Sequence, residues 1–119
     1  QELFEKAERR GDLSSETYLE SLKECRRLSR QQGIDAFMQK HGLDAFIAPT
    51  SGPAWLTDSV NGDPVSIETS FTPSAVAGYP GISVPLGFIS GLPVGLSFYG
   101  GAWSERMLLR CAHAFENAT

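Results

Sequence analysis

The sequence predicts an α/β chain with a long N-terminal helix, a short strand, a β-hairpin and a C-terminal helix. Three observations carry this. Two apolar runs rich in β-branched and aromatic residues, 77–88 and 91–100, flank a turn around Ser90-Gly91, the pattern of a hairpin. Eight of the ten Lys and Arg residues precede Gly42, and none lies between Gly42 and Trp103. All seven prolines fall between Pro49 and Pro93. The chain therefore reads as one segment in three parts: a solvated helical region (1–42), a strand, loop and hairpin region (43–103), and a closing helix (104–119).

The first helix starts at Ser14 or Ser15, either of which can cap it, with Glu16 in the first turn near the positive end of the dipole. Tyr18, Leu22 and Cys25 recur at helical spacing, widened by Leu19 and Leu28. Arg26 and Arg30 are expected on the solvent side, and Glu20 within reach of Lys23. The helix runs on through Ile34, Phe37 and Met38, with a weak point at Gly33 costing ~1 kcal/mol. Gly42 suits its C-terminal cap. Residues 43–48 then read as a buried strand ended by Pro49. From Thr50 to Ser66 the chain has no period, and a loop of that length is often functional. Thr72 and Pro73 start a short helix as cap and first helical residue, ended by Gly78. Glycines and prolines recur inside both hairpin runs, which marks strands at an edge, kinked, or closely approached by other atoms. Ser104 opens the last helix, with Met107, Leu108, Cys111, Ala112 and Phe115 as its apolar stripe.

Composition excludes several classes of function. A formal charge of −4 lacks the basic footprint of general nucleic-acid binding. No apolar run approaches the length of a membrane span. No secretory leader opens the chain, which begins at Gln1, so the expectation is a removed leader or a piece of a longer protein. Cys25 and Cys111 have no metal-site spacing and read as reduced cysteines packed as small hydrophobes, which suits a cytoplasmic compartment.

Little of the chain matches a reaction motif. Gly81-Ile82-Ser83-Val84-Pro85 approaches a nucleophile elbow, but proline replaces the last glycine and Ser83 lies inside an extended run. Ser97 fails in the same way, and both serines read as strand hydroxyls satisfied by backbone. His41 and His113 read as surface or helix-end residues. Asp58, Asp63 and Glu68 match no cation motif, and no metal site is expected. No Walker or G-x-G-x-x-G sequence is present, and no cofactor is expected.

Four pieces in order carry a resemblance. They are the helix from Tyr18-Leu19-Glu20, the strand Asp44-Ala45-Phe46-Ile47-Ala48-Pro49-Thr50, the segment Thr72-Pro73-Ser74-Ala75-Val76-Ala77-Gly78-Tyr79-Pro80 running into Ile82-Ser83-Val84-Pro85, and Gly91-Leu92-Pro93-Val94-Gly95-Leu96 with its closing helix. Across nearly its whole length the chain resembles the C-terminal portion of amidase signature hydrolases. One departure is Ala75, where the family often has Asn. The resemblance implies a piece of a mixed β-sheet flanked by helices. It implies a parent that hydrolyses a small carboxamide at its C–N bond by a Ser–cis-Ser–Lys mechanism. The Gly/Ser-rich signature that holds that triad does not occur here, so no catalytic residue is carried over and this stretch is expected to be inactive alone. Thr50, Ser51 and Trp55 follow a strand end, where ligands collect in open α/β sheets, and Phe71 approaches the short helix. These four are the expected substrate-binding residues.

Two other functions compete. One is a non-catalytic binding or assembly module built on the same fold. The other is an unrelated small hydrolase using Ser83 or Ser97. Unpaired strand edges also lead to the expectation that the isolated chain self-associates.

Overall fold

The computed structural model describes residues 1–62 and 69–119. Helices α1 (Glu2–Glu8) and α2 (Glu16–Arg26) lead into a wide π-helical stretch, Arg27–Ile34, and then α3 (Asp35–His41). Strand β1 (Phe46–Pro49) follows, then α4 (Thr72–Ala77), the hairpin of β2 (Gly81–Ile89) and β3 (Leu92–Tyr99), and α5 (Glu105–Glu116).

The single long helix is interrupted where Gly33 leaves helical geometry at φ −103° and ψ −108°. A Cβ there would stand 2.7 Å from the Leu28 carbonyl oxygen, so the break requires glycine. The Tyr18–Leu22–Cys25 stripe of α2 is not a core stripe. None of its residues is buried, Leu22 is half-buried and Cys25 is exposed. Gly42 (φ 61°) and Gly78 (φ 66°) end α3 and α4 in the left-handed conformation that the sequence indicated. Thr72 is the first residue of α4 and not its cap, which is Phe71; Pro73 still falls in the first turn, where it has no hydrogen bond to lose.

The sheet has the order β1-β3-β2, with both pairings antiparallel. Strand β1 is an edge strand and not a buried one, since Ile47 is 64% exposed. Ser90 (φ 51°) and Gly91 (φ 79°) form the two-residue hairpin turn with both residues left-handed, which matches the twist of the flanking strands. Leu86 is an extra residue in β2: Pro85 pairs with Gly95 and Gly87 with Val94.

The register divides the sheet into two unlike faces. Ile82, Val84, Leu96 and Phe98 point to α5 and pack on Leu108 and Ala112, flanked by Met107, Cys111 and Phe115. This is the core, and the α5 stripe is the one the sequence indicated. The opposite face carries Phe46, Ala48, Gly81, Ser83, Pro85, Gly95, Ser97 and Tyr99. Phe46 stacks on Tyr99 at 5.0 Å between ring centroids and meets Phe37 of α3 at 5.7 Å.

Arg30 joins the helical part to the hairpin. It is not on the solvent side. Its Nε donates to the Ala77 carbonyl at 2.6 Å, and its guanidinium lies 5.3 Å from the centre of the Tyr79 ring. The Tyr79 hydroxyl donates to Asp35 at 2.9 Å. Burial, together with that bond to the carboxylate, raises the Tyr79 phenol above its ordinary range. The surface ion pair that forms nearby is Glu24–Arg27, in place of the expected Glu20–Lys23.

Much of the molecule is uncovered. Its accessible surface is 9254 Å², against about 6,300 Å² expected for a compact monomer of its mass. Its radius of gyration is 17.7 Å, against about 13.5 Å for that length.

The packing makes two adjacent leucines of α5 unequal. Leu108 is 2% exposed and Leu109 57%. Leu108→Ala is expected to destabilise the fold by about 2–5 kcal/mol, and Leu109→Ala by less than about 0.5 kcal/mol. Urea unfolding of the two variants measures the difference.

Candidate functional site

The centre of the sheet face opposite α5 is built from small residues, Ala48, Ser83, Gly95 and Ser97, and three hydroxyls meet on it. Thr50 continues β1 by donating its backbone N–H to the Gly95 carbonyl at 2.7 Å. That bond brings its side chain over β3. The buried Ser97 hydroxyl donates to Thr50 Oγ1 at 2.8 Å, and Thr50 Oγ1 is 2.7 Å from Ser83 Oγ. Ser83 and Ser97 face each other across the β2–β3 ladder, so one side chain from the end of β1 links all three strands. Gly95 makes this possible. A Cβ there would stand 2.7 Å from Thr50 Oγ1 and 2.9 Å from Ser83 Oγ.

Phe71 closes one side of this region. Its ring lies over Gly81, where a Cβ would approach Cε1 to 3.0 Å. The Ser70 backbone N–H donates to the Thr50 carbonyl at 3.3 Å, which ties the start of α4 to the end of β1. The Ser70 hydroxyl is buried without a hydrogen-bond partner among the described residues.

Of the four residues singled out in the sequence, the structure brings Thr50 and Phe71 to the same part of the sheet. Ser51 is exposed, and its hydroxyl donates to the Gly52 carbonyl at 3.2 Å. Trp55 is 47% exposed and lines a loop concavity with Leu56, Asp58 and Asn61. The Asp58 carboxylate accepts the backbone N–H groups of Val60 and Asn61 and the Asn61 side-chain amide, which hold its pKa below the ordinary carboxylate range. Asp63 and Glu68 lie outside the described residues. Among the described residues no three His, Cys, Asp or Glu side chains stand together as a metal site.

Sequence reasoning missed the hydroxyl chain. It assigned Ser83 and Ser97 backbone partners, whereas each bonds the Thr50 side chain. A usable signal was present: Gly81 and Ser83 on one strand, and Gly95 and Ser97 on the next, place small residues at alternate positions on one face. Among the described residues neither serine hydrogen-bonds a histidine or lysine. His41 lies exposed at the end of α3, 4.4 Å from the Phe37 ring, and His113 is exposed beside Asn117. An open apolar groove of about 690 Å³ runs between α3, α4 and β1, with Phe37, Phe46, Val76 and Tyr99 among its walls.

Residues 3–109 match the amidase family model. This chain belongs to the amidase family. A glutamyl-tRNA(Gln) amidotransferase subunit of Marinobacter nauticus is 44% identical to it over 105 residues, which cover 86% of this chain and 21% of that protein. The corresponding protein of Cellvibrio japonicus is 38% identical over 108 residues, covering 87% and 22%. Among solved structures, a peptide amidase in complex with the competitive inhibitor chymostatin superposes with a TM-score of 0.92 at 45% identity, covering all of this chain and 24% of that one. The native peptide amidase of Stenotrophomonas maltophilia gives a TM-score of 0.84 at 43% identity, covering all of this chain and 23% of that one. This amidase chain thus spans between a fifth and a quarter of the length of those relatives. Its antiparallel sheet and helices are an α/β piece of the larger amidase signature fold.

The close approach at Gly95 is directly testable. Gly95→Ala is expected to destabilise the amidase segment by about 1–3 kcal/mol through overpacking. Adding Ser83→Ala removes one of the two colliding oxygens and is expected to recover part of that loss. Thermal unfolding of the single and double variants measures the coupling.

Proposed function

We propose that this chain is the C-terminal part of an amidase that hydrolyses a carboxamide C–N bond, and that a Ser–cis-Ser–Lys triad encoded outside this stretch does the chemistry. The observation that carries this reading is the superposition on a peptide amidase with a TM-score of 0.92 over the whole of this chain and 24% of that one. The unlike faces of the sheet support it: one is sealed by α5, and the other lies open as the wall of a larger site does.

In this role the segment completes the sheet and supplies part of the pocket for a small amide. Thr50 and Phe71 are the substrate-binding residues that the geometry favours, because they meet on the open face. Ser51 and Trp55 belong to the loop that leaves it and reach substrate only through that loop. The free cysteines suit a cytoplasmic location. The Gly81–Ile89 edge, unpaired on its outer side among the described residues, favours self-association of the isolated chain by edge pairing.

Three measurements test the proposal. The long amidase that carries this segment is expected to release ammonia or amine from carboxamides with saturable kinetics. This chain alone is expected to show neither turnover nor labelling by a serine-reactive phosphonate. A long protein that binds amides without cleaving them supports the competing non-catalytic module, and labelling of Ser83 or Ser97 in this chain supports an independent hydrolase. Light scattering at micromolar concentration is expected to find dimers or larger species of the isolated chain; a monodisperse monomer rejects the edge-pairing proposal.

A further inference from the structure

Beside the hydroxyl chain the hairpin forms a concavity of about 380 Å³. Ser83, Pro85, Phe88, Pro93 and Gly95 contribute to its lining. The bulge at Leu86 brings these residues together. In an unbroken strand Phe88 would share the face of Val84, against α5. The extra residue shifts the alternation so that Phe88 pairs with Pro93 and lies on the face of Ser83 and Gly95. Phe88 is 76% exposed there, so the core does not account for its position.

We propose that Ser83 Oγ is a hydrogen-bond donor to the carbonyl oxygen of a neutral carboxamide ligand seated in this concavity against Phe88. Ser97 and Thr50 act as positioning residues behind it. Ser97 is 0% exposed and its hydroxyl donates to Thr50. A hydroxyl oxygen that accepts a hydrogen bond becomes a better donor. With that bond accepted, Thr50 has its own proton to give, and in the proposed arrangement it goes to Ser83, 2.7 Å away. Ser83 accepts that bond and is left with its proton free to point off the sheet. The buried end of the chain orders the protons, and the open end presents one polarised donor. No Lys or Arg lines the concavity, so its walls supply no cation to balance an anion. A neutral acceptor beside an apolar ring fits what is present. The identity of the ligand rests on the amidase reading.

Titration of this chain with N-acetyl-L-phenylalaninamide, followed by amide chemical shifts, tests the proposal. Saturable changes are expected at Ser83, Phe88 and Gly95. Ser83→Ala is expected to weaken binding about three- to tenfold, the loss of one neutral hydrogen bond. Ser83→Thr, which keeps the hydroxyl, is expected to stay within about twofold of the parent. Phe88→Ala, at an exposed position outside the hydroxyl chain, is expected to weaken binding without altering the Ser83 neighbourhood. N-acetyl-L-phenylalanine, a carboxylate, is expected to bind more weakly than the amide. Absence of saturable shifts at these residues, unchanged affinity in Ser83→Ala, or equal binding of the carboxylate overturns the proposal. Turnover by the long amidase is a separate readout, so a failed amidase reading and a failed donor assignment give different results.

Discussion

Strand β3 is the constraint on which the rest of the structure depends. Among the described residues it is the only strand of the sheet paired on both sides, with β1 along one edge and β2 along the other. Its alternation sends Leu96 and Phe98 to α5 and Gly95 and Ser97 to the open face. A slip of one residue would put glycine and serine against the helix and phenylalanine into the hydroxyl chain. The bond from the Thr50 N–H to the Gly95 carbonyl then carries β1 one residue past its formal end and places the Thr50 hydroxyl between two serines. Core, register and candidate site are thus consequences of one ladder.

Two forces of different kind hold the two faces. The α5 side is held by apolar burial, which does not depend on direction and tolerates volume-conserving exchange. The open side is held by hydrogen bonds and close approaches, which depend on geometry and tolerate little. The aromatic series Phe37, Phe46 and Tyr99 and the Arg30–Tyr79–Asp35 contacts bind the helical region to the sheet along its margin without closing over its centre. That arrangement leaves about 3,000 Å² more surface than a compact domain of this mass would expose, the scale of an obligate interface. A segment that makes its own core and leaves a whole face unfinished is suited to completing something larger.

Local signals in the sequence were strong where one residue type has few alternatives. Ser90-Gly91 can make the tight turn, Gly42 and Gly78 can adopt the left-handed conformation, and the α5 stripe repeats at helical spacing. These were legible. The stripe on α2 was equally regular and was misleading, because periodicity records a face that can be buried and not what buries it. The edge position of β1 was hidden for the same reason: an apolar run does not say how many neighbours it has. Arg30 illustrates a further limit. Its partners, Ala77 and Tyr79, are more than forty residues away, and no local pattern joins them. The hydroxyl chain and the Leu86 bulge depend on register between strands, which a one-dimensional reading fixes only at the turn. Thr50 and Phe71 were singled out only through their place at element ends; Ser83 and Ser97 were weighed as nucleophiles and their shared partner was not seen.

On the proposed reading, these residues shape a site whose reacting groups are encoded elsewhere. Complementation is the decisive assay: this chain and the separately produced remainder of the long amidase are assayed for carboxamide hydrolysis apart and mixed. Neither polypeptide is expected to turn over substrate alone, and mixing is expected to restore saturable hydrolysis. Hydrolysis by this chain in isolation would place the reacting groups here instead.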